Sequence, residues 1–402
     1  KAGEWFGRAV LAPPATRLRL ERAPDAEPSD VEGGVGFTVP EMAEKTARLL
    51  RDIGLTTGFA RLVLVLGHGS ESLNNPHKSA YDCVACAGSS GGPNGRAVAQ
   101  MLNDPRVRAA VAADGIPIPA DTWFVGGCHN TCDDTVALAD VDGVPESHRA
   151  DLARVRADLA AACDRNAHER SRRFMSAPLD LSAADAHKHV ENRSADLAQV
   201  RPELGAATNA VCVVGRRAST RGLFLDRRAF LASYDPTQDD AAGSTLGRLL
   251  AAAVPVCGGV SLEYYFARVD SRGYGSGTKL PHNVTGLVGV MDGAASDLRT
   301  GLPWQMVEIH EPVRLLFVVE TTPDILLAVM ARLPRVDTMI RNGWVQMAVQ
   351  DPETGAVRVF RDGAFHHYEP QADELPRAAT SADWYRGWRE NLEFARIGKD
   401  ER

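Results

Sequence analysis

The apolar run at 62–66 (LVLVL) breaks abruptly into Gly67-His68-Gly69-Ser70, and this junction limits the folds open to the chain. Such a run reads as a strand buried on both faces, and a glycine-rich break at its carboxyl end is where an α/β sheet carries its chemistry. A helix is predicted before it. The segment EMAEKTARLLRDIG follows Pro40, has apolar residues at helical spacing and ends in Gly54, a suitable C-cap. Beyond the loop, 94–113 returns to a helical pattern and TWFVGG at 122–127 reads as a second buried strand. The order helix, strand, loop, helix, strand predicts an α/β fold.

The remaining sequence divides around this unit. Residues 1–40, rich in Pro, Gly and alternating charge, predict an irregular lead-in, and 41–145 carry the α/β segment with the candidate site. The Ala-, Arg- and Asp-rich stretches 146–174 and 184–200 predict a helical insertion over 146–205, its charge runs lining solvated faces. A C-terminal α/β segment with a long polar loop is expected over 206–402. Its strands are predicted at 210–214, 259–268, 313–320 and 344–349, its helices at 244–253 and 323–332, and a hairpin over 344–361 turning at 351–355. Trp384, Trp388 and Phe394 stand at helical spacing, so 381–396 predicts an amphipathic helix docked on the body.

Charge and cysteine usage narrow the chemistry. A net charge of -7 with Arg and acidic residues interspersed argues against nucleic acid as the main partner. Apolar runs such as 62–66, 210–214 and 315–319 are far shorter than the roughly 20 residues that cross a bilayer, which leaves peripheral attachment to a membrane partner open. The 7 cysteines are an odd number and favour reduced thiols and metal chemistry in a cytoplasmic setting over a disulfide framework.

His68 and Cys83 offer a borderline and a soft metal ligand at the mouth of the first strand, and zinc is the natural candidate. A catalytic zinc would lower the pKa of its bound water toward neutrality, with Asp82, His77, Lys78, Asn74 and Asn75 as candidates for hydrogen bonding, anion contacts or proton transfer. A structural zinc held by Cys83, Cys86, Cys128 and Cys132 is the alternative, since C-x2-C and C-x3-C are knuckle-like spacings. Gly88, Gly91 and Gly92 lack the phosphate-loop pattern and are read as turning and close-packing positions. His129 with Asp133 is expected to be a hydrogen-bonded strut rather than a ligand pair, and Ser70 lacks the spacing of a nucleophile elbow. In the later polar loop, His282, Asn283, Asp292, Asp297, Arg299, His310, Glu311 and Arg314 are candidates to line a pocket or a subunit interface.

Long stretches of the chain resemble the DabA family, zinc subunits of a two-component inorganic carbon pump. The resemblance rests on GHGSESLNNPHKSAYDCVACAGSSGGPNGRA (67–97), CHNTCDD (128–134), LPHNVTGLVGVMDGAASDLRTGLPWQMVEIHEPVRLLFVVE (280–320) and NGWVQMAVQDPETG (342–355). It implies a fold distantly related to β-type carbonic anhydrases, with zinc on the His of the GHG loop and the Cys of the YDC motif, here His68 and Cys83. The family's remaining ligands, a Cys and an Asp of a C-x-D motif, have no counterpart upstream of residue 68. This chain is therefore expected to be the C-terminal portion of a longer protein, the other option being a divergent member with a depleted site. The resemblance further implies energy-coupled hydration of CO2 to bicarbonate by a zinc-bound hydroxide, on the cytoplasmic side of the cell membrane. It implies a peripheral subunit whose carbonic-anhydrase-like activity exists only within the transporter complex. The partner is a proton-translocating membrane subunit, DabB-like and related to those of respiratory complex I. A non-catalytic scaffold that docks on such a partner through a structural zinc is the competing expectation.

Overall fold

A computed structural model describes residues 18–29, 34–73, 89–196, 208–275, 290–291, 298–299, 301–370 and 374–398. Helix α1 (Val39–Asp52) has Pro40 in its first turn and Gly54 following it at φ +71°, as the sequence predicts, and Thr38 and Glu41 add a capping box. Its buried stripe, Met42, Ala43, Ala47 and Leu50, packs with strand β1 (Leu62–Gly69), helix α2 (Gly92–Asn103) and helix α3 (Pro105–Ala113). Asp104 and Pro105 divide the predicted 94–113 helix in two, Asp104 capping the second half through the Arg106 N–H. Strand β2 (Trp123–Asn130) runs parallel to β1 and β3 (Thr135–Leu138) antiparallel to β2, giving the order β1-β2-β3.

β1 is therefore an edge strand among the described residues, and this corrects its expected full burial. Leu62 through Val65 are half-buried and Leu66 is 38% exposed. Val63 and Val65 meet α1 and α2 on one face. Leu62 and Leu64 meet Val125, Val144 and Leu152 on the other. Helix α4 (Arg149–Ser171) and helix α5 (Ala183–Ser194) then pack on each other as a pair beside this sheet.

The second sheet is larger. Strands β4 (Val211–Gly215), β5 (Leu223–Phe224) and β6 (Ala229–Ser233) are followed by helix α6 (Ser244–Val269) and the two-residue pair β7 (Val290–Met291) and β8 (Leu298–Arg299). Helix α7 (Trp304–Val307), strand β9 (Leu316–Glu320), helices α8 (Pro323–Arg332) and α9 (Pro334–Arg341), and strands β10 (Gln346–Gln350), β11 (Val357–Arg361) and β12 (Ala364–His367) come next. The six-stranded order is β12-β11-β10-β9-β4-β6, parallel from β6 to β10 and antiparallel beyond. The β10–β11 hairpin turns at 351–355 as predicted, with Asp351 Oδ1 accepting from the Glu353 and Thr354 N–H groups. Strand β13 (Arg377–Ala378), helix α10 (Ser381–Tyr385) and strand β14 (Ala395–Ile397) close the chain, β14 pairing with β5.

Two expectations fail here. The predicted strand 259–268 lies inside α6: Val260, Tyr264, Tyr265 and Phe266 favour a strand, but Leu246, Leu250, Val254, Gly258, Ser261 and Tyr264 recur on one helical face and are buried, so packing overrides propensity. Joined in this way, α6 has 26 residues and holds an 18-residue window of mean hydropathy 1.5, long and apolar enough by length and composition alone to cross a membrane, which the short apolar runs did not suggest. The predicted 381–396 helix stops at Tyr385. Gly387 takes φ +86°, and the chain beyond it is held by cations: Arg172 donates to the Trp388 and Glu390 carbonyls while Arg389 bonds the Arg172, Phe174 and Ala177 carbonyls.

Candidate functional site

The carboxyl ends of β1 and β2 form the site. Parallel register sets Gly67 beside Cys128, His68 beside His129 and Gly69 beside Asn130. Side chains alternate along a strand, so His68 and His129 share one face while Cys128 takes the opposite face, toward α2. Glycine is needed on that second face. A Cβ on Gly67 would stand 2.0 Å from the Gly91 carbonyl oxygen, and one on Gly95 would stand 2.6 Å from that of Val65, so α2 reaches the sheet only because both side chains are missing. Gly91 thus serves turning and close packing, as its sequence suggested; Gly88 lies outside the described residues.

Two loops are fastened where the strands end. The Gly91 N–H donates to the His68 carbonyl at 2.6 Å, and the Thr131 N–H and hydroxyl donate to the Gly69 carbonyl at 2.9 and 3.0 Å. Asn130 bridges to Glu71, accepting from its N–H at 2.8 Å and donating to its carbonyl at 3.1 Å. His68, exposed at the end of β1, is thus carried on a backbone fixed on both sides. The thiols nearby have separate polar contacts: Cys128 with Ser90 and Cys132 with Ser70, each at 3.4 Å, Ser70 and Cys132 being fully buried.

The loop after β2 is clamped from α4. Arg170, 2% exposed, donates to the Thr131 carbonyl at 2.8 Å, the Cys132 carbonyl at 3.3 Å and the Asp134 carboxylate at 3.2 Å. Asn166 adds a 2.7 Å bond to Asp134, and Arg227 holds Asn166. Burial works to raise the Asp134 pKa, but the His129 contact and the Arg170 and Arg227 charges outweigh it and hold the carboxyl well below the ordinary range. At 3.5 Å the His129 contact is long for a hydrogen bond, so the Arg170 and Asn166 bonds carry the geometry. The expected His129–Asp133 strut is therefore corrected: His129 faces Asp134, whereas Asp133 accepts from the Thr135 N–H at 3.0 Å and hydroxyl at 2.7 Å, a local turn.

Beyond Asp134 opens a cavity of about 410 Å³ lined by Asp134, Thr135, Arg156, Cys163 and His187 among others. His187 bonds Asp164 at 2.7 Å through Nδ1 and the Asp133 carbonyl at 3.0 Å through Nε2. Burial raises the Cys163 thiol pKa, reinforced by Asp134, Asp164 and Asp133. Arg170 and His187 were missed because the charged runs of α4 and α5 were read as solvated; the readable signal was the polar loop after β2, whose carbonyls need buried donors.

Of the predicted ligands, only His68, Cys128 and Cys132 can be placed. Cys83, Cys86, Asp82, His77, Lys78, Asn74 and Asn75 lie outside the described residues, as do His282, Asn283, Asp292 and Asp297. Among the described residues no group of three or more His, Cys, Asp or Glu side chains could hold a metal. The imidazole of His68 suits zinc as a donor, and a zinc there would need further ligands from outside the described residues. In the later loop, His310 is buried against Tyr264, Glu311 pairs with Arg228 at 2.7 Å, and Arg314 donates to the Gly343 carbonyl; these are packing roles.

Comparison with known proteins supplies the context. The family model described as "Probable inorganic carbon transporter subunit DabA" matches residues 1–345. Two proteins named "Probable inorganic carbon transporter subunit DabA 2" are similar: one from Rhodopirellula baltica is 52% identical over 393 residues, and one from Sorangium cellulosum is 54% identical over 382. A DabA from Parafrankia is 48% identical over 420 residues. These alignments cover 98%, 95% and 98% of this chain but 36%, 37% and 38% of the relatives, so the chain spans a little over a third of their length. No solved structure matches. With the family model covering most of its length and relatives at about half identity, the chain belongs to the DabA family of inorganic carbon transporter subunits.

Proposed function

We propose that this chain is the part of an inorganic carbon transporter subunit that brings one zinc ligand, His68, to a β-carbonic-anhydrase-like centre, with Cys83 as the second ligand and a Cys and an Asp from another segment completing it. The observation that carries this reading is the placement of His68, exposed at the carboxyl end of a parallel edge strand and fixed through its own backbone by Gly91. An edge strand leaves hydrogen-bonding groups open for a neighbouring strand, which gives the missing ligands a route to the site. When bound, zinc supplies acidified water, the nucleophile that hydration of CO2 needs. The chain's own contribution is to fix the backbone that carries the imidazole, while the Arg170 clamp fixes the adjoining loop. Product proton and bicarbonate must separate, and a DabB-like proton-translocating membrane subunit is the partner that would carry the proton, with this subunit peripheral on the cytoplasmic side.

The test uses the full-length protein. His68→Ala and Cys83→Ala should each lose zinc by elemental analysis and abolish carbon-dependent growth when co-expressed with the membrane subunit, while normal zinc in both variants sinks the proposal. Cys128→Ser and Cys132→Ser separate it from the scaffold reading, in which Cys83, Cys86, Cys128 and Cys132 hold a structural zinc. Their thiols already contact Ser90 and Ser70, and retention of zinc is expected in both.

A further inference from the structure

The six-stranded sheet is covered unequally. Residues alternate between its faces, and Cys212, Val214, Phe317, Val319, Met347 and Val349 turn to the side on which α6, α8 and α9 pack. The residues between them make up the other side. Register aligns one row of these across five strands: Leu231 on β6 stands beside Val213 on β4, followed by Val318 on β9, Ala348 on β10 and Val359 on β11. Val211 and Leu316 add a shorter row next to it. Polar groups bound this apolar zone along the strands: Gln346 pairs with Leu316 at one end, and at the other Glu320, which accepts from the Arg216 N–H at 2.7 Å, pairs with Gln350. Leu231 is 38% exposed, and Val211, Val213, Leu316, Val318 and Val359 are half-buried. Among the described residues none of these six belongs to a packed apolar cluster.

Strands β6, β4, β9 and β10 run parallel. Parallel strands occur almost only in sheets sheltered on both faces, where helices cover them and the strands read as apolar throughout. VCVVG and LFVVE have that two-sided apolar pattern, yet among the described residues helices pack on one side alone. The row from Leu231 to Val359 carries no charge, which is the composition of the centre of a permanent interface rather than of a transient one. A permanent cover for a sheet is most directly supplied by the same polypeptide, and this chain matches only 36% and 37% of the length of two of its relatives. We propose that this second face of the six-stranded sheet is the docking surface for an amphipathic helical layer from the part of the longer family polypeptide outside these 402 residues. Ala348, between Val318 and Val359, is the low point of the row, and a helix running along β10 seats its apolar stripe between the two valines. The proposal concerns the larger sheet and stands apart from the zinc reading at β1.

Labelling and crosslinking of the full-length protein, co-expressed with the membrane subunit, test this. Leu231→Cys should react with a maleimide about tenfold or more slowly than Glu353→Cys in the exposed 351–355 turn, as read by peptide mass spectrometry, because the helical layer shields it. Labelling of Leu231→Cys as fast as Glu353→Cys overturns the proposal. A photoreactive benzoylphenylalanine encoded in place of Leu231 then identifies the cover. Its crosslinks should map to peptides of the same polypeptide outside residues 1–402, in a species that migrates at the mass of the uncrosslinked subunit. Crosslinks to the membrane subunit, to a second copy in a species of twice the mass, or to a segment within residues 1–402 each overturn it. Leucine at 231 is replaced on a strand at the edge of the sheet, so both variants are expected to fold, and an unchanged melting temperature checks that they do.

Discussion

The two sheets differ in where their apolar strands sit. In the six-stranded sheet Val214, Phe317, Val319 and Val349 are 0% exposed, enclosed by neighbouring strands and by α6, α8 and α9. In the three-stranded sheet β1 is equally apolar, yet Leu66 is 38% exposed, the strand being an edge among the described residues. Apolar packing holds the larger sheet; the loops of the smaller one are held by charge and hydrogen bonds around Arg170 and Asp134. The division gives the molecule a stable body and a polar, exposed rim where His68 stands. Phe317→Ala should therefore remove about 3–5 kcal/mol of stability in urea unfolding, against about 1 kcal/mol or less for Leu66→Ala. Comparable losses would mean that β1 is as deeply packed as β9.

The next effect is local. Asp134→Ala leaves the buried Arg170 without its carboxylate, at a cost of about 3 kcal/mol, and hydrogen exchange should rise in 130–135 and at the end of α4 while β4, β9 and β10 stay protected. The pH dependence has a definite sign. Because the folded pKa of Asp134 is depressed, its contribution is fully present above the ordinary carboxylate pKa of about 4 and is lost as pH falls toward the folded value. Below about pH 4 this loop should loosen before the larger sheet unfolds, and a loop whose exchange there, corrected for the intrinsic pH dependence, shows no gain would remove Asp134 from the account.

Glycine substitutions sharpen the contrast in opposite directions. Gly67→Ala drives a Cβ into the Gly91 backbone and should cost about 1–3 kcal/mol by displacing the His68 backbone. Gly259→Ala, on the exposed side of α6 with nothing within 4 Å of the new methyl group, should stabilise by about 0.5–1 kcal/mol. Melting temperatures of the two variants, compared with wild type, read both signs.

The sequence displayed these regions unequally. Periodicity and local breakers placed α1, β2, β4, β9 and the β10–β11 hairpin, because Pro40, Gly54 and the 351–355 turn act locally. The same local reasoning failed for 259–268, where the decisive fact is the sheet beneath α6, and for 381–396, where Gly387 and Arg389 end the helix through partners more than 200 residues away in sequence. At the site, His68 was conspicuous because glycines flank it. Arg170 was not, since a buried arginine in a charged helix looks like its solvated neighbours until the carbonyls of Thr131 and Cys132 are seen to need it.

The smallest predicted effect lies on the alkaline side of the same loop. His187 joins Asp164 to the Asp133 carbonyl, and although burial alone would lower its pKa, the Asp164 hydrogen bond, the Asp133 carbonyl and the charges of Glu191 and Asp164 together raise it. A raised folded pKa favours the protonated form in the folded state. Its contribution is therefore complete below the ordinary histidine pKa of about 6.5 and is lost as pH rises through the folded value, the reverse of Asp134. Hydrogen exchange in 130–135 should thus rise modestly between pH 6 and pH 8 in wild type beyond the intrinsic base dependence, and His187→Gln should flatten that rise. Because His187 reaches the loop through a backbone carbonyl, glutamine can keep one bond but cannot titrate, so an unchanged rise in the variant would assign the alkaline loosening to another group. If both dependences hold, the loop is most closed in the interval between them, while the apolar core of the larger sheet stays protected throughout.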